Sequence, residues 1–298
     1  MALENKTGLK EGKKSNLFAR NNHMTEKPIV LNPALAKFQE SEKPHYKKDV
    51  SASQIEEVKR PSISVFFPAY NDAGTIGSLV LAAINTCRQL TDDFEVIVVE
   101  NGSTDYTVEV LEELAQKFEH FRYLSFKEPL GYGGALRVGF KECKKDIVFY
   151  TDGDAQYDPH ELRILMEYLR PGVDVVNGYK IARNDPFHRI IIGKVYHWTV
   201  KVGFSLKGKD TDCDFRLIRR DCLENIDLTS DTGTICLELM KKLQAREYKF
   251  EWVPVHHYHR VYGRSQFFNF PRLWRTGVNL LALWWRLNML KEHMREKK

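Results

Sequence analysis

From residue 61 onward, apolar residues come in short runs divided by polar, glycine-bearing turns. The runs at 62–67, 94–100, 121–126, 147–150, 173–177 and 248–255 are rich in β-branched and aromatic residues, which predicts strands. The continuous apolar middle of 94–100 predicts a strand covered on both faces. Between the runs, 75–90, a stretch ending near 118, 131–143, 159–170 and 233–245 carry helical spacing. Asp158 is the natural N-cap of the fourth helix, with Pro159 at its first position. Strands alternating with helices across short loops predict an α/β fold, a mostly parallel sheet with helices on both faces. Ligands of such sheets sit beyond the carboxyl ends of the strands. Asn71-Asp72, Glu100-Asn101 and Asp152-Gly153-Asp154 all fall at such ends.

Residues 1–60 break the pattern. They are rich in Lys, Glu, Asn and Ser and predict a basic, disordered arm, with a short helix at 33–39. The chain has 298 residues and a net charge of +5, which suits anionic substrates or an anionic membrane surface and gives no sign of nucleic acid. The N-terminus has no apolar signal segment. Five scattered cysteines without a Cys-x-x-Cys pair argue against a zinc cage or a disulfide scaffold and for a reducing, cytoplasmic setting.

The densest chemistry lies at 147–156, where Ile147-Val148-Phe149-Tyr150 runs into Thr151-Asp152-Gly153-Asp154-Ala155-Gln156. Two carboxylates flanking a glycine at a strand mouth suit Mg²⁺ or Mn²⁺, which take few protein carboxylates and complete their shells with phosphate oxygens and water. Gly153 is expected to let the backbone turn tightly enough for both acids to face one point. Gln156 is a third candidate oxygen ligand. The plainer alternative is that Asp152 and Asp154 only cap the following helix.

Other motifs carry plainer readings beside the chemical ones. Gly131-Tyr132-Gly133-Gly134 lacks dinucleotide and P-loop spacing, so close packing of a helix start is favoured over phosphate binding. Within 178–209, Lys180, Arg183, His188, Arg189 and Lys194 read mainly as a solvated basic face. Asp214 beside Arg216 can be a structural ion pair. His256 and His257 are strand neighbours that point to opposite faces and make a poor metal site.

Pro68-Ala69-Tyr70-Asn71, Val99-Glu100-Asn101-Gly102-Ser103-Thr104-Asp105, Leu130-Gly131-Tyr132-Gly133-Gly134-Ala135 and Thr151-Asp152-Gly153-Asp154-Ala155-Gln156 occur in that order and resemble glycosyltransferase family 2, which has the GT-A fold. Asp214-Phe215-Arg216-Leu217 and Arg260-Val261-Tyr262-Gly263-Arg264-Ser265 resemble the branch holding dolichol-phosphate mannosyltransferase and other polyprenyl-phosphate glycosyltransferases. The resemblance covers about 62–270. It implies a GDP-mannose or UDP-glucose type donor, a divalent metal, and inverting transfer to a polyprenyl or dolichyl phosphate. By position, Pro68, Tyr70, Asn71, Glu100 and Asn101 line the nucleotide pocket, and Asp105 supports its loop. Asp152, Asp154 and Gln156 hold metal and diphosphate. Arg216 and Arg260 face phosphates of donor or acceptor, and Lys180 stands where the family often has arginine. One departure is Asn101, where the family usually shows a second acid, and an amide both donates and accepts.

The implied domains are the arm at 1–60, a catalytic domain at 61–266, and an amphipathic helix with a charged tail at 267–298. The uncharged run between Arg275 and Arg286 is ten residues, against the roughly 20 of a spanning helix. At helical spacing Arg272, Arg275, Asn279 and Arg286 share one side, and Leu273, Leu280, Leu281, Trp284 and Leu287 the other. Such a helix lies in a membrane interface, giving a peripheral protein on the cytoplasmic face, or packs on the catalytic domain or on a partner chain. Two further functional readings stand beside lipid-phosphate transfer. One is transfer to a soluble or saccharide acceptor, with Glu238 or an acid near Asp231 as base. The other is a non-catalytic nucleotide-sugar-binding protein.

Overall fold

Among the described residues, seven apolar runs hydrogen-bond into one sheet. The computed structural model describes residues 60–181, 199–263 and 270–294. The N-terminal arm, the basic residues Arg183, His188, Arg189 and Lys194, and the pair Arg264-Ser265 lie outside them.

The strands are β1 (Ile63–Ala69), β2 (Phe94–Glu100), β3 (Phe121–Ser125), β4 (Ile147–Thr151), β5 (Val175–Ile181), β6 (Phe215–Arg219) and β7 (Phe250–His256). β1 pairs in parallel with β2 and β4, β2 with β3, and β5 with β7. β6 runs against β4 and β5, so it alone is reversed. The expected α/β class and mostly parallel sheet are therefore observed. β5 extends to Ile181, past the expected end at 177, because Gly178–Ile181 pair with Val253–His256 of β7. Its polar sequence hid that extension; the neighbouring strand supplies it.

The helices are α1 (Ile76–Leu90), α2 (Thr107–Lys117), α3 (Gly131–Glu142), α4 (Leu162–Tyr168), α5 (Arg220–Glu224), α6 (Thr234–Ala245) and α7 (Phe270–Trp284). Successive residues of β1 supply both faces of the sheet. Val65 and Phe67 join Val80 and Leu111 of α1 and α2 on one side. Phe66 turns to the other side and meets Phe140 of α3 and Tyr150 of β4, with ring centroids 5.0 and 5.5 Å away. All of β1 is buried, as a central strand of a two-sided sheet requires. Gly139 of α3 lies over Phe66, and a Cβ there would overlap the ring.

The carboxyl ends of β1, β2, β4, β5 and β7 lie along one edge of the sheet, together with the amino end of the reversed β6. That edge carries the chemistry described next. All five cysteines are free and buried.

Candidate active site

The hub is the end of β4. Asp158 does the helix capping itself, accepting from His160 N at 2.9 Å with Pro159 at the first position. Asp152 and Asp154 are thus left for other work. Asp154 is buried, accepts from Gln156 N at 3.0 Å, and its other oxygen receives the Arg260 guanidinium. Asp152 accepts the Tyr132 hydroxyl at 2.7 Å. The tight turn expected at Gly153 is made without left-handed backbone there. That conformation falls to Ala155, at φ 57°. Gly153 is needed because a Cβ would press on the Pro68 carbonyl and the Asp72 carboxylate, at 2.8 and 3.2 Å.

Two acids that sequence reasoning did not nominate complete the cluster. Thr151 pairs with Phe215 across the β4–β6 ladder, so one step further Asp214 comes beside Asp152. Tyr132 bridges them, its hydroxyl 3.4 Å from Asp214. Asp72, in the turn after β1, lies against Gly153, accepts from Tyr70 N at 3.0 Å, and is pushed up to about 6 chiefly by burial, with Asp154 adding repulsion. Burial first, then the charges of Asp214 and Asp154, raise Asp152 well above the ordinary carboxylate range. Asp154 is raised too, by burial against the opposing pull of Arg260. The position of Asp72 next to Asn71 was the available signal for one of these acids. The cross-strand register was the signal for the other.

This concentration of hard carboxylate oxygens, with the charged forms of Asp72, Asp152 and Asp154 disfavoured by burial, fits a divalent cation. Among the described residues no three His, Cys, Asp or Glu side chains form a ready cage. Gln156 is turned elsewhere: its amide nitrogen donates to Tyr258 O at 3.1 Å, and its backbone carbonyl accepts from Tyr258 N at 2.8 Å. It clamps the segment that carries Arg260.

The donor-side candidates divide. Tyr70 is exposed at the rim, and Pro68 is buried in β1. Asn71 takes left-handed backbone at φ 56° and accepts from Thr104 N at 2.7 Å. Glu100 accepts from Ser125 Oγ at 2.6 Å and from Ser103 N, and Asn101 accepts from Leu130 N at 2.7 Å. Asp105 accepts from Thr107 N and Ala73 N, at 3.0 and 3.2 Å. These side chains brace the loops around the strand ends against one another. Lys180 donates to Asp212 O at 2.8 Å and is tied to the 210–212 turn.

Arg216 differs most from expectation. It was expected to face a phosphate, yet it is fully buried. Its Nε donates to Asn177 at 2.5 Å, Nη2 to Thr211 O at 2.7 Å, and Nη1 reaches the Tyr150 hydroxyl and Asp214 at 3.1 Å. The plainer ion-pair reading is the one its surroundings match. Arg216 holds Asp214 and Tyr150 from behind the cluster. Arg260 stands at the mouth, partly exposed. The glycines of α3 likewise follow the packing reading: Gly133 N donates to Asp231 O at 3.0 Å, and a Cβ on Gly133 would overlap Ser230 and Asp231 backbone. His256 bonds Glu161 while His257 meets the Tyr157 ring, the split expected of strand neighbours.

Tyr132 is held protonated by burial and by Asp152, so it is a fixed donor to that acid. Tyr132→Phe is expected to weaken Mn²⁺ binding about 10- to 100-fold, the usual cost of losing a partner that orients a metal ligand. Isothermal titration of Mn²⁺ in the presence of nucleoside diphosphate checks it; unchanged affinity would remove Tyr132 from the site.

Comparison with known proteins accords with this geometry. Over 229 residues the chain is 28% identical to undecaprenyl-phosphate 4-deoxy-4-formamido-L-arabinose transferase of Pectobacterium carotovorum, covering 76% of this chain and 68% of that one. It is 27% identical to glycosyltransferase AglD of Haloferax volcanii, covering 76% of this chain but 38% of the relative. Among solved structures, glucosyl-3-phosphoglycerate synthase of Mycobacterium tuberculosis with Mn²⁺, UDP and glucosyl-3-phosphoglycerate matches at TM-score 0.58 and 18% identity, covering 76% and 79% of the two chains. The same enzyme with Mg²⁺ and UDP matches at TM-score 0.57 and 17% identity, covering 76% and 78%. These structures share the fold. The glycosyl transferase family 2 model matches residues 64–227, more than half of the chain and all of the carboxylate cluster. The chain belongs to glycosyl transferase family 2 and is a nucleotide-sugar transferase.

Proposed function

We propose that the chain moves a sugar from a nucleoside-diphosphate donor to a phosphate-bearing acceptor, and that this acceptor is a polyprenyl phosphate. The observation that carries the reading is Arg260 set on Asp154 at the open mouth of the carboxylate cluster, a cation placed where a phosphate would arrive. The relatives named as undecaprenyl-phosphate transferases support the lipid form of that acceptor.

The proposed reaction is a single displacement. An acceptor phosphate oxygen forms a bond to the anomeric carbon as the bond from that carbon to the diphosphate oxygen breaks, and the nucleoside diphosphate leaves with the electron pair. Asp152 and Asp154 would hold Mg²⁺ or Mn²⁺, whose charge offsets that growing on the diphosphate. Tyr132 keeps Asp152 aimed, and Arg216 fixes Asp214 and Tyr150 behind it. Arg260 adds positive charge that needs no reorganisation during the reaction. A phosphomonoester with a second pKa of about 6 is already ionised near neutral pH, so the acceptor needs no strong base.

A soluble or saccharide acceptor is the second reading. The packing of α7 on the catalytic domain favours it. Leu283 and Leu287 are buried with Val200, Phe204, Leu237 and Met240, and Trp284 donates to Gly203 O at 2.8 Å. The fold neighbour solved with phosphoglyceric acid adds weight. The base once considered for that reading is misplaced. Glu238 is fully buried, accepts from Ser230 N at 2.9 Å, pairs with Lys242 at 3.0 Å, and is held below its ordinary pKa by those partners against the cost of burial. Asp231 is exposed and paired with Arg137 at 2.5 Å.

The packing also redraws the α7 faces. Leu281, expected on one side with Leu280, Trp284 and Leu287, is 70% exposed and falls at helical spacing with exposed Val278, Trp285 and Met289, a strip that runs past the end of α7. The side chains of Arg272 and Leu273 lie outside those described. No helix among the described residues is long and apolar enough to cross a membrane. In the lipid reading this strip rests on the bilayer surface. Leu281→Glu is expected to cut vesicle binding about tenfold with unchanged turnover of a detergent-dispersed acceptor; equal binding by the variant would detach the strip from the membrane.

A further inference from the structure

Beside the catalytic edge lies a second polar cleft, lined by none of the carboxylates of the cluster and not by Arg260. It has a volume of about 310 Å³ and is lined by Asp231, Thr232, Thr234, Arg275, Asn279 and Arg286. Three independent features converge there. The first is the start of α6, a twelve-residue helix that opens at Gly233 without a side-chain cap. The early N–H groups of such a helix, with its dipole, favour an anion. The second is a small hydroxyl and amide network: Thr232 and Thr234 lie 3.0 Å apart, and Asn279 donates to Thr232 at 3.4 Å. The third is a pair of guanidinium groups, Arg275 of α7 and Arg286 of the π-turn Trp285–Met289 that follows it. Arg286 is anchored by Glu292 at 2.7 Å and by Thr229. Arg275 has no hydrogen bond or ion pair among the described residues. The carboxylate of Asp231 is answered by Arg137.

We infer that this cleft binds a phosphate group, and that the phosphate is the head group of a lipid. Two arginines, two hydroxyls and a helix start make a donor-rich wall that matches a phosphomonoester better than a carboxylate or a neutral sugar. The exposed residues Val278 and Leu281 of α7 and Trp285 and Met289 of the π-turn that follows run along the same stretch of chain as both arginines. A ligand with a phosphate in the cleft and a hydrocarbon tail along that strip satisfies both. The cleft is also close to the carboxylate cluster: Cys236, two residues after Thr234, lies 4.0 Å from the Tyr132 hydroxyl. The head group can therefore belong to a resident anionic phospholipid or to the acceptor itself; the second case rests on the lipid reading above, the first does not.

The test uses the full chain without metal or donor, sedimented with phosphatidylcholine vesicles with and without phosphatidic acid, which carries a phosphomonoester. Phosphatidic acid is expected to strengthen binding of the wild type. Arg275→Gln is expected to reduce that gain about fivefold, the effect of one basic residue at an anionic surface, with Arg275→Lys between them. Lys117→Gln, on the exposed face of α2, is the control for general charge. Equal phosphatidic acid binding by Arg275→Gln together with an unchanged KM for polyprenyl phosphate, or an equal loss with Lys117→Gln, would overturn the site. Full displacement by millimolar inorganic phosphate would keep the phosphate site and overturn its lipid source. A raised KM for polyprenyl phosphate in Arg275→Gln, with phosphatidic acid binding unchanged, would assign the head group to the acceptor. Loss of phosphatidic acid binding with an unchanged KM would assign it to a bilayer lipid, whatever the fate of the acceptor reading.

Discussion

Asp154→Asn is expected to lower metal-dependent turnover by about 10²–10³-fold or more while the metal-free protein keeps or gains thermal stability. The two halves have one cause. Asp154 is buried among Asp72, Asp152 and Asp214, and burial raises its pKa despite Arg260. A carboxyl whose pKa is higher folded than unfolded destabilises the fold whenever pH holds it ionised, and the penalty fades as pH falls through the folded value. A neutral amide of the same shape removes that penalty near pH 7. It also removes a hard anionic ligand, so metal-dependent chemistry is lost. Turnover against Mn²⁺ concentration, beside calorimetric melting of the chelated protein, reads both. Near-normal turnover would take Asp154 out of the site, and a collapse in melting temperature would mean that it is structural.

Arg216→Met is expected to act the other way, on the fold first. Arg216 is fully buried and satisfies Asn177, Thr211, Tyr150 and Asp214 together. Removing one partner of a buried ion pair typically costs about 3–5 kcal/mol, because the other charge stays buried without it. For a domain of this size that corresponds to a fall of roughly 10 °C in melting temperature. Lysine offers one point charge in place of a planar fork and cannot reach four acceptors, so Arg216→Lys is expected to rescue little. A variant that melts like wild type and loses only rate would return Arg216 to direct phosphate contact.

How far the sequence led is plain from these residues. β2 runs over the residues its apolar pattern predicts, and the Asp-x-Asp at the end of β4 lies where an alternating α/β chain places its ligands. Local composition was enough there, because propensity and burial agree. Arg216 was harder. Its neighbours in sequence show an acid and an arginine, but its environment is set across the ladder, where Tyr150 is its β4 partner and Asn177 its β5 partner. Tyr132 stood among glycines that invite a backbone explanation, and nothing local shows that its hydroxyl reaches a strand end twenty residues on. α7 is apolar on two sides, so periodicity alone could not choose which leucines are covered. A π-turn at Trp285–Met289 then shifts the phase of everything after Trp284.

The most direct test of the account is label transfer. Purified protein is given Mn²⁺ or Mg²⁺, a short polyprenyl phosphate, and labelled GDP- or UDP-sugars in separate reactions, and label is followed into the organic phase. The account predicts transfer from one donor, abolished by chelation and by Asp154→Asn. No label in lipid, with donor-specific release of nucleotide only when a soluble acceptor is added, would contradict the lipid acceptor and establish the second reading.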